Sequence, residues 1–455
     1  MIHLKKRKHS VLQIGMLVLV MIVGLTSCAK NLKVESEAVV ESNREMITES
    51  KANLNPEIYI ISDIHHLSKT LYEDNETFQK FVNSGDGKLI NYSSEIMEAF
   101  IAQIKSGPPE VLIVSGDLTT NGELQSHREL ANWFADIESL GTKVLVIPGN
   151  HDINNPYALS FLNNERVFID SISPQGFYEN YNAFGYDDAI SKDSNSLSYL
   201  SKISEDLYAL MLDTCVYENN LYLGFPVTRG VLTEETLAWI DSLKEQIPQG
   251  AKIFSVSHHN MAIHAEILTE GYTLDNSYET VEHLSALGIK VNFSGHIHTQ
   301  DVKSRVNPEL TDVVTGSLIQ YPQTFGLLSL EGEGASYVTK WVDVERYAKE
   351  KDIQDAFLLD FKANASQYFY DKSSQMVQDE LVNYSDLEKS KMADVVGRLN
   401  MVYFAGEEPN IRSSILESDG YALWQNHASE SFVKQYIETM LEDETYGNVF
   451  SWTWN

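Results

Sequence analysis

Polar residues able to bind metal ions follow five short apolar segments of the sequence. Each segment is rich in Ile and Val, and Asp, Asn or His comes directly after it. In chain order, the groups are Asp63-Ile64-His65, Gly116-Asp117, Gly149-Asn150-His151-Asp152, His258-His259 and Gly295-His296-Ile297-His298. Two such residues spaced two positions apart reach a common site where the chain turns sharply, as Gly295 allows. The repeated pattern predicts one site that is built from several segments.

The residue types in these groups indicate the metals and the reaction that they suit. Carboxylate, imidazole and amide ligands together suit Mn, Fe or Zn, whereas an all-oxygen set indicates Mg or Ca. Because no Cys lies in the groups, a closed structural zinc site is disfavoured. The candidate ligands are Asp63, His65, Asp117, Asn150, His258, His296 and His298. This set exceeds the needs of one ion, and two ions about 3.5 to 4 Å apart with a shared carboxylate commonly hydrolyse phosphate esters.

The distribution of histidines supports this interpretation. Of the 13 His residues, ten lie between positions 65 and 298. A single His is more often a hydrogen-bonded core residue than a ligand, and we favour that interpretation for His127, His264 and His283. The interpretation as a core residue fits poorly for the histidines that follow an apolar segment and lie beside another polar residue or a glycine.

Strands and helices must alternate to bring the five groups together. The predicted strands are 58–61, 111–114, 144–147, 253–256 and 289–293. Amphipathic helical patterns lie between them, near 96–104, 130–137 and 233–247. This alternation indicates β/α units, and open α/β sheets bind their ligands at the carboxyl ends of the strands.

In their order and position, the five groups resemble the motifs of the calcineurin-like metallophosphoesterases. The resemblance implies an α/β fold of the α+β sandwich type, with a four-layer αββα core over residues 56–347. It also implies a binuclear centre of two divalent or mixed-valence transition metal ions, Mn, Fe or Zn. Asp63, His65 and His298 would hold the first ion, Asn150, His258 and His296 the second, and Asp117 would bridge them.

The resemblance assigns catalytic roles to two neighbouring residues. His151 would not be a ligand but would contact the phosphate and protonate or stabilise the leaving oxygen. Asp152 would orient His151, or would instead make a turn hydrogen bond within its loop. The implied reaction is in-line attack by a hydroxide that bridges the two ions, while the same ions neutralise phosphate oxygens in the transition state.

Two details of the resemblance stay open. The family usually has His-x-Pro where this chain has His258-His259-Asn260, so His259 is an alternative ligand to His258. The segment from Thr315 to Pro322 follows a further apolar run, and it either lines the cleft or packs in the core.

The first 28 residues have the pattern of a bacterial signal peptide. Basic residues at positions 5–8 precede an apolar run that ends in Leu25-Thr26-Ser27-Cys28. A single membrane anchor is the alternative, but the run is shorter than the roughly 20 residues of a bilayer span. Its last four residues resemble a lipobox, which implies a diacylated Cys28 and an exported lipoprotein anchored to the outer face of the cell membrane. Residues 29–55 are polar and predict a flexible tether.

Charge and cysteine content restrict the partners further. The chain has 34 Lys and Arg against 65 Asp and Glu, a net charge of −31, which disfavours binding to nucleic acid duplexes. A phosphate-handling protein this acidic needs bound cations. Cys28 and Cys215 are the only cysteines, so lipidation of Cys28 would leave no intramolecular disulfide. Nothing in the pattern indicates an oligomeric state.

The pattern changes in the last third of the chain. Segments 327–330 and 337–344 predict strands that finish a second sheet, and charged helical stretches with aromatic clusters predict a helical C-terminal domain over 348–455. This arrangement resembles a Gram-positive branch of cyclic nucleotide phosphodiesterases. The resemblance favours phosphodiesters as substrates, among them 3′,5′-cyclic nucleotides. Tyr403-Phe404 would stack on a base, or would form the seam between domains, which we favour.

Two other functions compete with phosphodiester hydrolysis. The same two-metal centre would serve a phosphomonoesterase of the nucleotidase or phosphatase type, which also acts on a small-molecule phosphate ester. A surface lipoprotein could instead keep the metal site without catalysis. His151 separates this last alternative, because catalysis needs it and metal binding does not. A single-metal peptidase is disfavoured by the absence of His-Glu-x-x-His.

Overall fold

The computed structural model describes residues 56–454 of the chain. The predicted signal peptide, Cys28 and the tether of residues 29–55 lie outside the described residues, so these assignments stay predictions. Among residues 56–454, no helix combines the length and the apolar composition that a bilayer crossing requires.

Strands and helices alternate through the first part of the described chain, and helices dominate the last part. The strands are β1 (Glu57–Ile61), β2 (Val111–Ser115), β3 (Lys143–Ile147), β4 (Leu159–Ser160), β5 (Val167–Phe168), β6 (Ser191–Lys192), β7 (Tyr199–Lys202), β8 (Leu207–Leu212), β9 (Lys252–Ser257), β10 (Val291–Ser294), β11 (Asp301–Val306), β12 (Glu309–Val314), β13 (Thr324–Glu331), β14 (Gly334–Trp341) and β15 (Val449–Thr453). The α-helices are α1 (Glu76–Asn83), α2 (Ser93–Ile104), α3 (Leu124–Glu138), α4 (Pro174–Asn180), α5 (Asn220–Leu223), α6 (Glu234–Ser242), α7 (Ser277–Ala286), α8 (Val344–Glu350), α9 (Ala356–Leu359), α10 (Phe361–Gln375), α11 (Asp386–Tyr403), α12 (Arg412–Leu416), α13 (Asp419–Gln425) and α14 (Phe432–Glu442). The five predicted strands are present as β1, β2, β3, β9 and β10, and the three predicted helices as α2, α3 and α6.

The strands form two large mixed sheets and one short pair, β4 with β5. The first sheet has the order β15-β14-β13-β1-β2-β3, in which β1, β2 and β3 run parallel. The second sheet has the order β11-β12-β10-β9-β8-β7-β6, in which β8, β9, β10 and β12 run parallel. The carboxyl ends of parallel strands lie at one edge of their sheet, so each sheet gathers its predicted polar groups at one edge.

The two sheets pack face to face between helices, which gives the expected αββα layers. Along β8, alternate side chains point to opposite faces of the sheet. Leu207, Ala209 and Met211 join the core between the sheets, whereas Tyr208 and Leu210 pack with helices α6 and α7. Helices α2 and α3 cover the first sheet and share its core.

Strands β13 and β14 join the first sheet, so the prediction that segments 327–330 and 337–344 finish a second sheet is wrong. β13 pairs antiparallel with β1, with Leu328 opposite Ile58. β14 ends at Trp341, and Val344 begins helix α8. An alternating apolar pattern shows which face of a strand is buried but does not identify its neighbour, and this explains the error.

Helices α8 to α14 form a helical region. Its helices α11 to α14 share a core of their own, which includes Leu399, Trp424 and Met440, whereas α8, α9 and the start of α10 pack on the core of the sheets. This region differs from the predicted helical domain at both ends. It begins at Val344 rather than at residue 348. The chain also leaves the helical state before its end, because β15 pairs antiparallel with β14 and extends the first sheet. The β-branched and aromatic residues of β15 favour this extended conformation.

Candidate active site

The loops after β1, β2, β3, β9 and β10 meet at one place in the structure. The first three strands belong to the first sheet and the other two to the second, so the site lies where the edges of both sheets come together. The fold thereby brings His65 and His298 into contact although they are 233 positions apart. All seven predicted ligands lie here.

One group of side chains contains Asp63, His65, Asp117 and His298. Their ligand atoms all lie within 4.8 Å of one another. The Nε2 atoms of His65 and His298 are 3.1 Å apart, and His298 Nε2 is 3.2 Å from Asp63 Oδ1. His65 Nε2 is 3.7 Å from Asp117 Oδ2. Two carboxylates and two imidazoles that converge in this way can hold a metal ion.

A second group contains Asp117, His258 and His296, and the Asn150 amide lies beside it. His258 Nε2 is 3.4 Å from Asp117 Oδ1 and 3.2 Å from Asn150 Oδ1. Asp117 therefore belongs to both groups, with Oδ2 facing His65 and Oδ1 facing His258. A carboxylate with one oxygen toward each group is suited to bridging.

The hydrogen bonds around His298 and Asp63 leave one carboxylate oxygen of the first group without a donor. His298 Nδ1 donates to Gln320 Oε1 at 2.8 Å, which turns Nε2 toward Asp63 Oδ1. Asp63 Oδ2 accepts from the Ser62 hydroxyl and the His296 N–H, but Asp63 Oδ1 has no hydrogen-bond partner among the described residues. A buried carboxylate oxygen without a hydrogen-bond donor is unfavourable unless a cation compensates its charge. The donor set therefore fits a bound metal ion.

The electrostatics of the second group also favour cation binding. Burial acts to lower the pKa of His258, but the charge of Asp117, its hydrogen bond and the charge of Asp63 together outweigh burial and raise that pKa to about 9. Burial and the charge of His258 lower the pKa of His296 to about 4. Without a metal, Asp117 and His258 thus form a buried ion pair beside a neutral His296. A metal ion would replace the proton on His258, so binding would release a proton.

The backbone of the site is held in an uncommon conformation. Five of the candidate ligands have a positive φ: Asp63 (50°), His65 (41°), Asp117 (50°), His296 (72°) and His298 (60°). A residue other than glycine in this region costs on the order of 1 kcal/mol or more. A Cβ on Gly149 would lie 2.1 Å from the Asp117 nitrogen, so only glycine permits that close approach. Strain is concentrated at the residues that converge on the site.

His151 lies next to both groups, and its ring is held by a backbone carbonyl. Its Nδ1 donates to the Thr120 oxygen at 2.7 Å, and its own N–H donates to Asp117 Oδ1. Because a carbonyl oxygen only accepts, Nδ1 carries the proton in the neutral ring. Nε2, 4.0 Å from Asp117 Oδ2, therefore faces the site, and about a third of the side chain is exposed. This geometry suits proton transfer to or from a bound substrate.

The carboxylate of Asp152 bonds to the loops of the site and not to His151, so the first of its two predicted roles, orienting His151, is wrong. Its carboxylate accepts hydrogen bonds from the N–H groups of Leu118, Thr119 and Gly149 and from the Thr119 hydroxyl. The turn hydrogen bonds expected as the alternative are the ones present. Asp152 joins the loop after β2 to the loop after β3, and it acts on the site through the positions of Asp117 and Asn150.

His258 rather than His259 joins the second group. The Nδ1 of His259 lies 2.8 Å from the Thr214 hydroxyl, and its Nε2 donates to the Thr228 oxygen at 2.9 Å. Both ring nitrogens of His259 are therefore occupied by other partners. His258 uses only Nδ1 in this way, donating to the Ser115 oxygen, which leaves Nε2 toward Asp117.

The histidines expected in structural roles have structural contacts. His127 is buried between the Tyr181 hydroxyl and the Asp152 carbonyl. His264 is buried between the carboxylates of Asp301 and Asp312, and His283 pairs with Asp241 near the surface.

Tyr403 and Phe404 pack in the seam between the core and the helical region. Tyr403 is 5% exposed, and its ring contacts Phe404 and Tyr436. Phe404 in turn contacts Phe369. The favoured alternative thus agrees with the packing, and the proposal that Tyr403 stacks on a base does not. Tyr272 lies instead beside the site, with its ring 5.5 Å from that of His296.

Gln320 is a site residue that the motifs do not identify. It contacts His298 directly and lies in the segment 315–322, where the sequence left open whether the segment lines the cleft. Ser317 of the same segment donates to the Asp63 carbonyl. The sequence signal for this segment was an apolar run followed by polar residues. The Gln320 amide itself has no characteristic spacing from the other site residues that would identify it.

Comparisons with known proteins find two family matches in this chain. Residues 56–300 match the calcineurin-like phosphoesterase family, and residues 343–446 match the C-terminal domain of cyclic nucleotide phosphodiesterase. A probable cyclic nucleotide phosphodiesterase from Xenorhabdus bovienii (strain SS-2004) is 25% identical over 197 residues, which is 42% of this chain and 62% of that protein. The match thus spans less than two thirds of that relative.

Two solved structures resemble part of this chain. A dimetal phosphatase from Danio rerio has a TM-score of 0.43 and 12% identity, over 62% of this chain and 96% of that chain. The phosphopantetheinyl hydrolase from Mycobacterium tuberculosis has a TM-score of 0.32 and 13% identity, over 58% of this chain and 90% of that chain.

The family match to residues 56–300 covers more than half of the chain and includes every candidate ligand. The chain belongs to the calcineurin-like phosphoesterase family.

Proposed function

We propose that this protein hydrolyses phosphodiesters at a centre of two metal ions, with 3′,5′-cyclic nucleotides as the substrate class. The observation that supports it most is Asp117, which turns one carboxylate oxygen to each of two ligand groups. The match of residues 343–446 to the C-terminal domain of cyclic nucleotide phosphodiesterase favours a diester over a monoester.

The ligand groups divide between the two proposed ions as the motifs imply. We assign Asp63, His65 and His298 to the first ion, Asn150, His258 and His296 to the second, and Asp117 to both. When bound, Mn, Fe or Zn ions would supply the positive charge that activates water and neutralises phosphate oxygens.

The residues of this chain have distinct parts in the proposed reaction. Asp117 and Asn150 keep the two groups adjacent, so that both act on one phosphate. His151 holds its Nδ1 proton on the Thr120 carbonyl, which leaves the Nε2 lone pair to take up a proton from solvent and pass it to the leaving oxygen. Tyr272, 36% exposed beside His296, offers an aromatic face to the base of a nucleotide.

A comparison of two synthetic esters tests the diester assignment. Mn-loaded protein is expected to turn over bis-p-nitrophenyl phosphate faster than p-nitrophenyl phosphate, and to hydrolyse 3′,5′-cyclic nucleotides in a substrate panel. Much faster hydrolysis of the monoester would instead support a nucleotidase or phosphatase, which the same two ions would serve.

We also propose that the protein is exported and anchored to the outer face of the cell membrane through Cys28. The supporting pattern is the basic and apolar start of the sequence, which ends in Leu25-Thr26-Ser27-Cys28. Mass spectrometry of the protein from bacterial membranes should find an N-terminal diacylated cysteine. The Cys28→Ala variant should lose the acyl groups, and an unmodified wild-type Cys28 would contradict the proposal.

A further inference from the structure

A lysine lies beside the candidate metal site, in the loop of residues 84–88 that follows α1; we name this segment the Lys88 loop. The Lys88 side chain is 14% exposed, and its ammonium lies 2.7 Å from Asp86 Oδ2. An ammonium group has three donors, so the pair with Asp86 leaves donors for a further acceptor. Neither the motifs nor the proposed ligand set includes this residue.

Hydrogen bonds join the Lys88 loop to the candidate ligand His298. Gln320 accepts from His298 Nδ1 at 2.8 Å and donates through Nε2 to the Asp86 carbonyl at 2.6 Å. Just after the loop, the Leu89 N–H donates to the Ile319 carbonyl at 2.9 Å. One side chain thus connects the ligand to the loop, and a backbone bond fixes the end of the loop.

The ion pair with Asp86 holds the Lys88 ammonium beside this connection. The Asp86 carbonyl is two hydrogen bonds from His298 Nδ1, through the side chain of Gln320.

Helix α10 of the helical region holds the Lys88 loop from the other side. Gly87 has a φ of 99°, and a Cβ at this position would lie 2.9 Å from the Phe369 ring. Phe369 also stacks on Tyr321, with ring centroids 5.4 Å apart, and Lys372 donates to the Asn83 carbonyl. The loop therefore lies between the candidate metal site and the helical region.

We propose that Lys88 binds a phosphate oxygen of the substrate, and that helix α10 positions it by packing against the Lys88 loop. This inference rests on the proposed function and adds a substrate-binding residue and a role for the helical region. In a protein with a net charge of −31, a lysine at the site gives an anionic substrate a local attraction that the rest of the surface does not. Phe369 and Gly87 are positioning residues in this arrangement, because they act through Lys88.

The first experiment changes the charge alone. Lys88→Ala should raise the KM for bis-p-nitrophenyl phosphate about tenfold or more, because a charge-assisted hydrogen bond is lost, while bound Mn stays at the wild-type level. Lys88→Arg should restore most of the affinity. Lys80→Ala, on the exposed face of α1, is the control and should behave as the wild type. An unchanged KM in Lys88→Ala with wild-type Mn content would overturn the proposal.

The second experiment moves the loop and leaves the lysine in place. Gly87→Ala is strained by its φ and by Phe369, so it should also raise KM with Mn content unchanged. Gly107→Ala is the matched control, because a Cβ there meets no atom within 4 Å. Phe369→Leu, a milder change, should raise KM in the same direction. If Gly87→Ala and Phe369→Leu both fold and keep the wild-type KM, helix α10 does not position Lys88.

A binding measurement separates this proposal from the proposed function. Inorganic phosphate is titrated into Mn-loaded wild type and Lys88→Ala by calorimetry. Weaker phosphate binding by the variant supports the role of Lys88 even if the wild type hydrolyses none of the esters tested. Equal binding by both proteins, or no binding by the wild type at millimolar phosphate, rejects it.

Discussion

His151 and Asp117 are neighbours in the site, but their contacts give them different tasks. Asp117 faces both ligand groups with its two oxygens. His151 keeps one nitrogen on a carbonyl and turns the other toward the site, and it belongs to neither group. Metal binding and catalysis are therefore separable by single substitutions.

We expect His151→Ala to retain bound Mn and to lose activity by about 100-fold or more, the usual contribution of general acid–base catalysis. Asp117→Asn should lose both metal and activity, because it removes the charge that both groups share. Elemental analysis and kcat for the diester measure the two outcomes. An active His151→Ala protein would remove the proposed role of that residue.

Asp152 is important for the site although it contacts no candidate ligand side chain. Asp152→Ala would leave three buried N–H groups and a hydroxyl without their acceptor, each at a cost of about 1 kcal/mol or more. We expect a lower melting temperature and at least about tenfold weaker Mn binding, with a smaller loss in Asp152→Asn. Wild-type Mn affinity in Asp152→Ala would show that the two loops hold their positions without it.

At the level of elements, the sequence identified the strands that end in ligands, because apolar segments and polar groups are both local signals. Strand β8 was missed although Asp213 and Thr214 follow it, and these two residues do not join the site, so the local signal alone does not identify a ligand. The sheet to which β13 and β14 belong depends on pairing with β1, which no local pattern encodes. Gln320 and Lys88 depend on contacts between distant segments, and single residues of these types have no motif to mark them.

The pairing of β15 with β14 gives a prediction for the end of the chain. Removal of residues 448–455 should lower the melting temperature by several degrees, because β14 loses its neighbour and becomes an unpaired edge. Such an edge should also promote association, which size-exclusion chromatography would detect. A chain shortened by Asn455 alone is the control. Equal melting curves for the long truncation and the full chain would show that β15 adds little stability.

At the scale of the whole molecule, Glu408 makes the stability depend on pH. Its side chain is 2% exposed, and neither carboxylate oxygen has a hydrogen-bond partner among the described residues. Burial raises its pKa to about 9, Asp301 and Asp443 add to the shift, and Lys303 opposes it. Between about pH 5 and pH 9 the unfolded chain therefore ionises this group while the folded protein keeps it neutral. Folding stability falls as pH rises through this window.

Glu408→Gln removes this titration. We expect the variant to melt at a higher temperature than the wild type at pH 8, with a gain of at least about 1 kcal/mol, and to differ much less at pH 5. Exposed Glu417→Gln is the control in the same region. A gain of equal size at both pH values would show that the carboxyl of Glu408 does not titrate in this way.

Metal removal should destabilise the whole core. Ions that bind only the folded protein stabilise it by about 2.7 kcal/mol when their concentration is 100 times Kd. A chelator should therefore lower the melting temperature, and added Mn should restore it. Asp117→Asn should show a much smaller response to Mn. Equal responses of the two proteins would mean that the stabilising ions bind elsewhere.

The return of the chain as β15 changes how the helical region is attached. The chain enters this region after β14 and leaves it into β15, so both points of attachment are adjacent strands of one sheet. The helices are thus an insertion between β14 and β15, attached to the sheet at both of its ends rather than through a single linker. A single proteolytic cut at residue 343 would not release them, because the pairing of β14 with β15 would still hold the fragment.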